Sequence, residues 1–129
     1  MATIYKKLEL ALDAETLWKR VADVGGISEL LDGISHSAVD GSTRSCTLAN
    51  GAQLTEQIIS VDQTRRRVAY TITAGPLPFT FHAASMAVEA GGEGRSALTW
   101  ITDVAPDELA GPLGQMIDDE CRKLEARFP

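Results

Sequence analysis

The feature that most constrains the fold of this chain is a change in the spacing of its apolar residues. Between residues 35 and 104 they recur at every second position in six short segments, which is the period of β-strands. After Pro106 they recur at three- and four-residue spacing as far as Phe128, which is the period of an amphipathic helix. Turn residues separate the six segments. The predicted strands are Ser35–Val39, Arg44–Leu48, Gln53–Val61, Arg67–Ala74, Thr80–Glu89 and Ser96–Val104.

The residues before this region add one strand and two short helices. Ile4–Leu12 alternates as a strand does, and Asp13 is placed to cap a helix that runs through Val21. A second short helical segment covers Ile27–Leu31. Strands joined by short connections form an antiparallel meander, and its apolar face needs a cover. We therefore predict an α+β fold, in which a curved seven-stranded antiparallel sheet wraps around a long helix over 107–128.

Length and charge limit the classes of partner. The 129 residues suffice for one domain, which we place over 1–129. A net charge of −6 argues against binding of nucleic acid, and no segment has the roughly 20 apolar residues of a membrane span. The sequence opens on no secretory signal pattern, and Cys46 and Cys121 form no CxxC pair, so a cytoplasmic location is expected. Both a monomer and a homodimer are compatible with the sequence.

The register of one hairpin decides where two charged residues point. A three-residue loop over 49–51 with a glycine bulge keeps the apolar residues on one face, whereas a two-residue loop mixes them with polar ones. This register pairs Cys46 with Leu54 and Arg44 with Glu56 on the inner face. An ion pair stabilises a dry core poorly because desolvation costs several kcal/mol per ion. In a wet cavity the pair can hold a polar ligand, and a position at the hydrated edge of the sheet is the alternative.

The same alternation places aromatic and polar side chains beside this pair. Tyr70, His82 and Trp100 fall on the inner face of three later strands. Aromatic rings with single polar groups give a small-molecule site its apolar area and its points of orientation, although core packing also accounts for Tyr70 and Trp100. We predict a ligand cavity between the sheet and the C-terminal helix. Its predicted lining is Arg44, Glu56, Tyr70, His82, Trp100, Leu54, Met86, Leu113, Met116 and Ile117.

The order of elements and four segments resemble the START-like superfamily, which has the helix-grip fold of pollen allergens and polyketide-cyclase-like proteins. The likeness is greatest to its bacterial polyketide cyclase/dehydrase and lipid-transport-like branch. The four segments are LDAETLWKRVADVGG (12–26), GISHSAVDG (33–41), ANGAQLTEQIISVDQTRRRVAYTITAGPLPF (49–79) and SALTWITDVAP (96–106). The resemblance implies a helix-grip fold and a hydrophobic ligand between the sheet and the long helix.

The central strands also resemble the ligand-binding half of the plant abscisic acid receptors, which share this fold. In those receptors the hormone cavity is lined by residues that match Glu56, Tyr70, His82 and Ala84, in agreement with the alternation argument. Their gate and latch motifs have no counterpart in residues 48–52 and 77–79. The resemblance therefore implies a cavity without the hormone-gated switch.

Two functions of different class use the inward polar set. One is binding, without catalysis, of a hydrophobic small molecule such as a lipid, a quinone or a polyketide-like compound. The other is a cyclase or dehydratase acting on an aromatic or polyketide-derived substrate, in which Arg44 stabilises an enolate and Glu56 or His82 moves the proton. A third hypothesis is a role through the surface, with the cavity collapsed. No cofactor or metal is expected, because the sequence has no nucleophile elbow, metal-ligand spacing or phosphate loop.

Overall fold

Seven strands and three α-helices make up the computed structural model, which describes residues 1–129. The strands are β1 (Ala2–Leu10), β2 (Ile34–Asp40), β3 (Thr43–Leu48), β4 (Gln53–Asp62), β5 (Arg67–Ala74), β6 (Phe81–Ala90) and β7 (Ser96–Ala105). The helices are α1 (Ala14–Ala22), α2 (Ile27–Leu30) and α3 (Ala110–Arg127). Single turns of 3₁₀ helix, Val24–Gly26 and Asp107–Leu109, precede α2 and α3.

All seven strands join one antiparallel sheet in the order β1-β7-β6-β5-β4-β3-β2. Each strand from β2 to β6 pairs with the next along the chain, because the turns between them are short. Only β1 lies beside a strand distant in sequence, β7. The predicted α+β architecture, with a seven-stranded sheet, two short helices and a long C-terminal helix, is confirmed.

The hairpin between β3 and β4 has the predicted register. Cys46 lies opposite Leu54 and Arg44 lies opposite Glu56. Gly51 has a φ of 88°, the left-handed conformation that a glycine bulge requires and that other residues adopt only at a cost. A slip of one residue would have turned every side chain of this hairpin to the other face.

The first strand differs from the prediction at both ends. It covers Ala2–Leu10, two residues earlier than the predicted Ile4–Leu12. The chain leaves the sheet early because the Leu12 N–H donates to the Leu10 carbonyl at 2.9 Å, which closes a tight turn. This turn places Asp13 at the N-cap of α1, where its carboxylate accepts a hydrogen bond from the Thr16 N–H at 2.8 Å.

The dry core lies at the β1 side of the molecule. Five leucines from β1, α1, α2, β7 and α3 are the largest fully buried side chains: Leu10, Leu17, Leu30, Leu98 and Leu124. Helix α3 packs mainly against β1. Parts of the inner face of β2 to β7 are therefore left to border a cavity. None of the helices combines the length and the apolar composition that crossing a lipid bilayer requires.

Candidate functional site

A cavity of about 260 Å³ lies between the inner face of the sheet and α3. Its wall is formed by β2 to β7, α2, α3, the segment before β2 and the loop between β3 and β4. All ten residues predicted from the sequence lie on this wall: Arg44, Leu54, Glu56, Tyr70, His82, Met86, Trp100, Leu113, Met116 and Ile117. The structure thus brings the set together, and binding of a ligand by these residues stays a prediction.

A buried ion pair forms the polar part of β3 and β4. Arg44 Nε donates to Glu56 Oε1 at 2.8 Å, and the two side chains are 4% and 6% exposed. Arg44 Nη1 also donates to the Val24 carbonyl at 3.2 Å. The guanidinium carbon lies 5.0 Å from the centre of the Tyr70 ring. The pair is therefore enclosed, and the hydrated edge of the sheet is not its position.

Glu56 accepts both of its side-chain hydrogen bonds from the protein on one carboxylate oxygen, Oε1. The Cys46 thiol donates to the same Oε1 at 3.5 Å, and Oε2 accepts no hydrogen bond from a protein group. Burial raises the pKa of the Cys46 thiol to about 12, so the sulfur is protonated and is no nucleophile at neutral pH. Oε2 is left as an acceptor for a bound molecule.

Tyr70 and Trp100 form a hydrogen-bonded aromatic pair across the inner face. Trp100 Nε1 donates to the Tyr70 hydroxyl oxygen at 3.1 Å, and both residues are buried. Burial raises the pKa of Tyr70, so its hydroxyl keeps its hydrogen at neutral pH. No protein group accepts that hydrogen. The Tyr70 hydroxyl can therefore donate to a molecule in the cavity.

The His82 side chain takes the place of a backbone hydrogen-bond acceptor at the point where β5 and β6 separate. The ladder between β5 and β6 ends at the pair Tyr70–Ala84, although both strands continue. Beyond this point the Ile72 N–H donates to His82 Nδ1 at 2.9 Å. Because Nδ1 accepts, the neutral ring carries its hydrogen on Nε2. Burial lowers the pKa of His82 to about 4, so the neutral ring is the form present at pH 7.

The imidazole also separates the cavity from the outer surface. An open groove of about 410 Å³ lies on the outside of the same seam, and its wall includes Ile59, Phe79 and Phe81. His82 and Ile72 belong to the wall of both spaces. The Phe79 ring centre lies 5.2 Å from that of His82 and packs against it. The side chains of His82 and Ile72 thus close the sheet at this point.

The mouth of the cavity lies between α3 and the segment before β2. Met116, 39% exposed, borders it. A Cβ atom on Gly33 would lie 2.0 Å from Glu120 Oε1, so only glycine lets the helix come this close without a shift of Glu120. Burial raises the pKa of Glu120, whose Oε2 has no hydrogen-bond partner. Lys123 Nζ lies 3.7 Å from Glu120 Oε1.

Sequence reasoning missed the charged residues of this mouth. Asp119, Glu120 and Lys123 line the cavity and were not predicted to do so. They follow Met116 at three, four and seven positions, which is one face of a helix. That spacing is the signal that could have found them. No group of three or more His, Cys, Asp and Glu side chains is arranged to hold a metal ion.

The sequence model of a family described as "Polyketide cyclase / dehydrase and lipid transport" matches residues 1–128. The chain belongs to this family. Its membership confirms the resemblance to the START-like superfamily and the polyketide cyclase/dehydrase branch. No curated protein sequence matches this chain significantly.

Solved structures similar to this family member share its whole fold. XoxI from Bacillus cereus is 20% identical, with a TM-score of 0.90 over 99% of this chain and 96% of that one. A START superfamily protein from Mycobacterium smegmatis is 18% identical, with a TM-score of 0.71 over 98% and 96%. Norcoclaurine synthase from Thalictrum flavum, in complex with dopamine and hydroxybenzaldehyde, is 22% identical, with a TM-score of 0.67 over 95% and 85%. At these identities the likeness shows the fold alone.

Proposed function

We propose that this family member binds a hydrophobic small molecule, of lipid, quinone or polyketide-like kind, between the sheet and α3. The observation that carries the proposal is the wall of the cavity, in which apolar side chains of both layers surround a few fixed polar groups. The family description includes lipid transport, and norcoclaurine synthase holds small aromatic compounds within the same fold. Both support a ligand of this kind.

The size of the cavity favours a small ligand. Its volume of about 260 Å³ is below the range of about 300–1,000 Å³ that is usual for drug-sized ligands. A compound of two or three fused rings therefore suits it better than a long acyl chain. A longer ligand would have to emerge at the mouth beside Met116.

Titration with N-phenyl-1-naphthylamine, a neutral dye that fluoresces in apolar surroundings, tests the proposal. We expect saturable binding at one site. Leu113→Trp fills the cavity from α3 and should abolish that binding. Gln115→Trp, the matched control, adds the same ring on the exposed face of the helix and should leave binding unchanged. Thermal melts show whether both variants are folded. Saturable binding that persists in folded Leu113→Trp, or no binding by the parent, would contradict the proposal.

Native mass spectrometry of protein isolated from fractionated cells of its own host tests the finer predictions together. We expect a bound compound of low mass, released by organic solvent. The same spectra separate a monomer from a homodimer, and recovery from the cytoplasmic fraction tests the proposed location. If the protein at its natural abundance is found only without a ligand, this result would count against the proposed binding of a small molecule.

Catalysis by proton transfer is the second candidate, and the free Oε2 of Glu56 favours it. This oxygen can take a proton from the carbon next to a substrate carbonyl, while Tyr70 donates a hydrogen bond to the enolate oxygen. Arg44 contributes less than the sequence suggested, because its Nε and Nη1 are already engaged. Deuterium exchange into the methyl group of 2-acetonaphthone, followed by NMR, tests the step. Exchange should be faster with the parent than with Glu56→Gln, and equal rates would exclude this role.

A further inference from the structure

We infer that the cavity selects a neutral carbonyl compound, such as a ketone, quinone or lactone, over a carboxylate or an amine with the same carbon skeleton. The inference rests on the proposed binding function and names the class of ligand for the same site. Three features of the wall carry it: a cancelled pair of charges, two unused hydrogen-bond donors, and an acidic mouth.

The buried charges of the cavity cancel each other. Arg44 and Glu56 are the only charged side chains among the buried residues, and their contacting atoms are 2.8 Å apart. A ligand carboxylate would have to compete with Glu56 for the guanidinium. One negative charge would then be buried without compensation, which is costly in a low-dielectric interior. The pair therefore offers no free cation for an anionic ligand.

Two neutral donors are left for an acceptor on the ligand. The Tyr70 hydroxyl already accepts from Trp100, so its own hydrogen is free. His82 accepts the Ile72 N–H on Nδ1, which leaves the hydrogen on Nε2. Neither group donates to a protein acceptor, and both residues line the cavity. A carbonyl oxygen accepts two hydrogen bonds and matches this pair of donors.

The charge at the mouth disfavours anionic ligands, and the inner wall around Arg44 and Glu56 disfavours amines. Five charged residues line the cavity, two positive (Arg44, Lys123) and three negative (Glu56, Asp119, Glu120), a net charge of −1. The whole chain carries −6, so anions are repelled on approach. An ammonium group needs several acceptors. It would find Glu56 Oε2 beside the positive Arg44, and it would leave both neutral donors unpaired.

Four probes with one ring system test the inference: 2-acetonaphthone, 2-naphthoate, 2-naphthylmethylamine and 2-ethylnaphthalene. Their dissociation constants are measured by calorimetry at pH 7. We expect the ketone to bind at least about fivefold more tightly than 2-ethylnaphthalene, the lower limit for two neutral hydrogen bonds. The carboxylate and the amine should bind more weakly than the apolar reference, because each brings an uncompensated charge into the cavity.

The two tyrosines of the chain supply a matched pair of variants. Tyr70→Phe keeps the ring and removes the donor, so it should reduce ketone affinity by about fivefold and leave that of 2-ethylnaphthalene unchanged. Tyr5→Phe makes the same change on the outside of the sheet, where the residue is 58% exposed, and should alter neither.

Failure of this inference and failure of the proposed function give different results. If 2-ethylnaphthalene binds but the carboxylate or the amine binds as tightly as the ketone, the proposed function stands and the selectivity is wrong. Unchanged ketone affinity in folded Tyr70→Phe also overturns the selectivity. If none of the four probes binds, the proposed function fails and the inference falls with it.

Discussion

Replacing both members of the buried ion pair should cost far less stability than replacing either one. The perturbation is Arg44→Met, Glu56→Leu and their combination, each of which keeps side-chain volume close to the original. Both side chains are almost fully enclosed. A lone charge at this place cannot reach bulk water without moving the strands, so it stays uncompensated.

The contacts of the pair set the order of the two single effects. Loss of one partner of a buried pair costs about 3–5 kcal/mol. After Glu56→Leu, the guanidinium of Arg44 keeps the Val24 carbonyl and the face of Tyr70, and we expect about 3 kcal/mol. After Arg44→Met, the carboxylate keeps only the weak thiol donor of Cys46, and we expect about 5 kcal/mol. The double variant should lie within about 1 kcal/mol of the parent, or above it.

Urea unfolding followed by circular dichroism measures these free energies, with thermal melts as a second readout. A change of 1 kcal/mol corresponds to a shift in Tm on the order of 4 °C for a chain of this length. Lys19→Met is the control, because Lys19 and Glu15 form a pair 3.6 Å apart with side chains 74% and 72% exposed. Its effect should stay below about 0.5 kcal/mol.

The double variant should also bind 2-acetonaphthone more weakly, by about 1 kcal/mol, because Arg44 packs on the ring of Tyr70 and fixes its hydroxyl. Stability kept with affinity lost would show that the pair serves the ligand site. A double variant as unstable as Arg44→Met, with unchanged affinity, would refute this reasoning and make the pair a structural element.

Three further changes follow from single contacts, all measured by the same urea titrations. Stability should fall by about 3 kcal/mol as the pH is lowered from 6.5 towards 4, because burial lowers the pKa of His82 to about 4 and the unfolded chain takes up this proton first. His82→Asn should flatten that slope, whereas His36→Asn on the exposed β2 should keep it; an equal slope in both would contradict the assignment. Gly33→Ala should cost at most about 1 kcal/mol, since its Cβ would meet only the flexible end of the Glu120 side chain, at 2.0 Å, and a larger loss would show that the backbone around Gly33 has to move. Gly114→Ala, whose Cβ meets no atom closer than 3.9 Å, should add about 0.5–1 kcal/mol, and a loss would contradict the packing of α3 on β1.

The sheet and its inner face could be predicted because strands fix the direction of each side chain. Once the apolar face of a strand is known, every second residue points the same way. The choice of a three-residue loop over 49–51 was therefore enough to place Arg44 and Glu56 on the inner face. The same alternation placed Tyr70, His82 and Trp100 there. The order of the elements predicted that a C-terminal helix, α3, covers this face of the sheet.

Irregular features of the sheet depend on distant contacts and escaped the sequence. The register of β4 and β5 shifts between Ile58 and Ser60, so that Val61 and not Ser60 lies opposite the inward-facing Val68, which strict alternation from Ile58 does not predict. Likewise, no local pattern indicates that the side chain of His82 replaces a backbone acceptor for Ile72. The charged mouth was missed because charged residues on a helix suggest a solvent-facing side, although the spacing of Glu120 from Met116 places both on one face of α3.

Intermolecular NOEs between 2-acetonaphthone and the methyl groups of the protein test the central claim most directly. The central claim is that a neutral carbonyl compound binds between the sheet and α3. It predicts NOEs from the probe to Leu54, Met86 and Ile117, which line the cavity from both layers. NOEs confined to Ile59, in the groove on the outer face of the sheet, would contradict it.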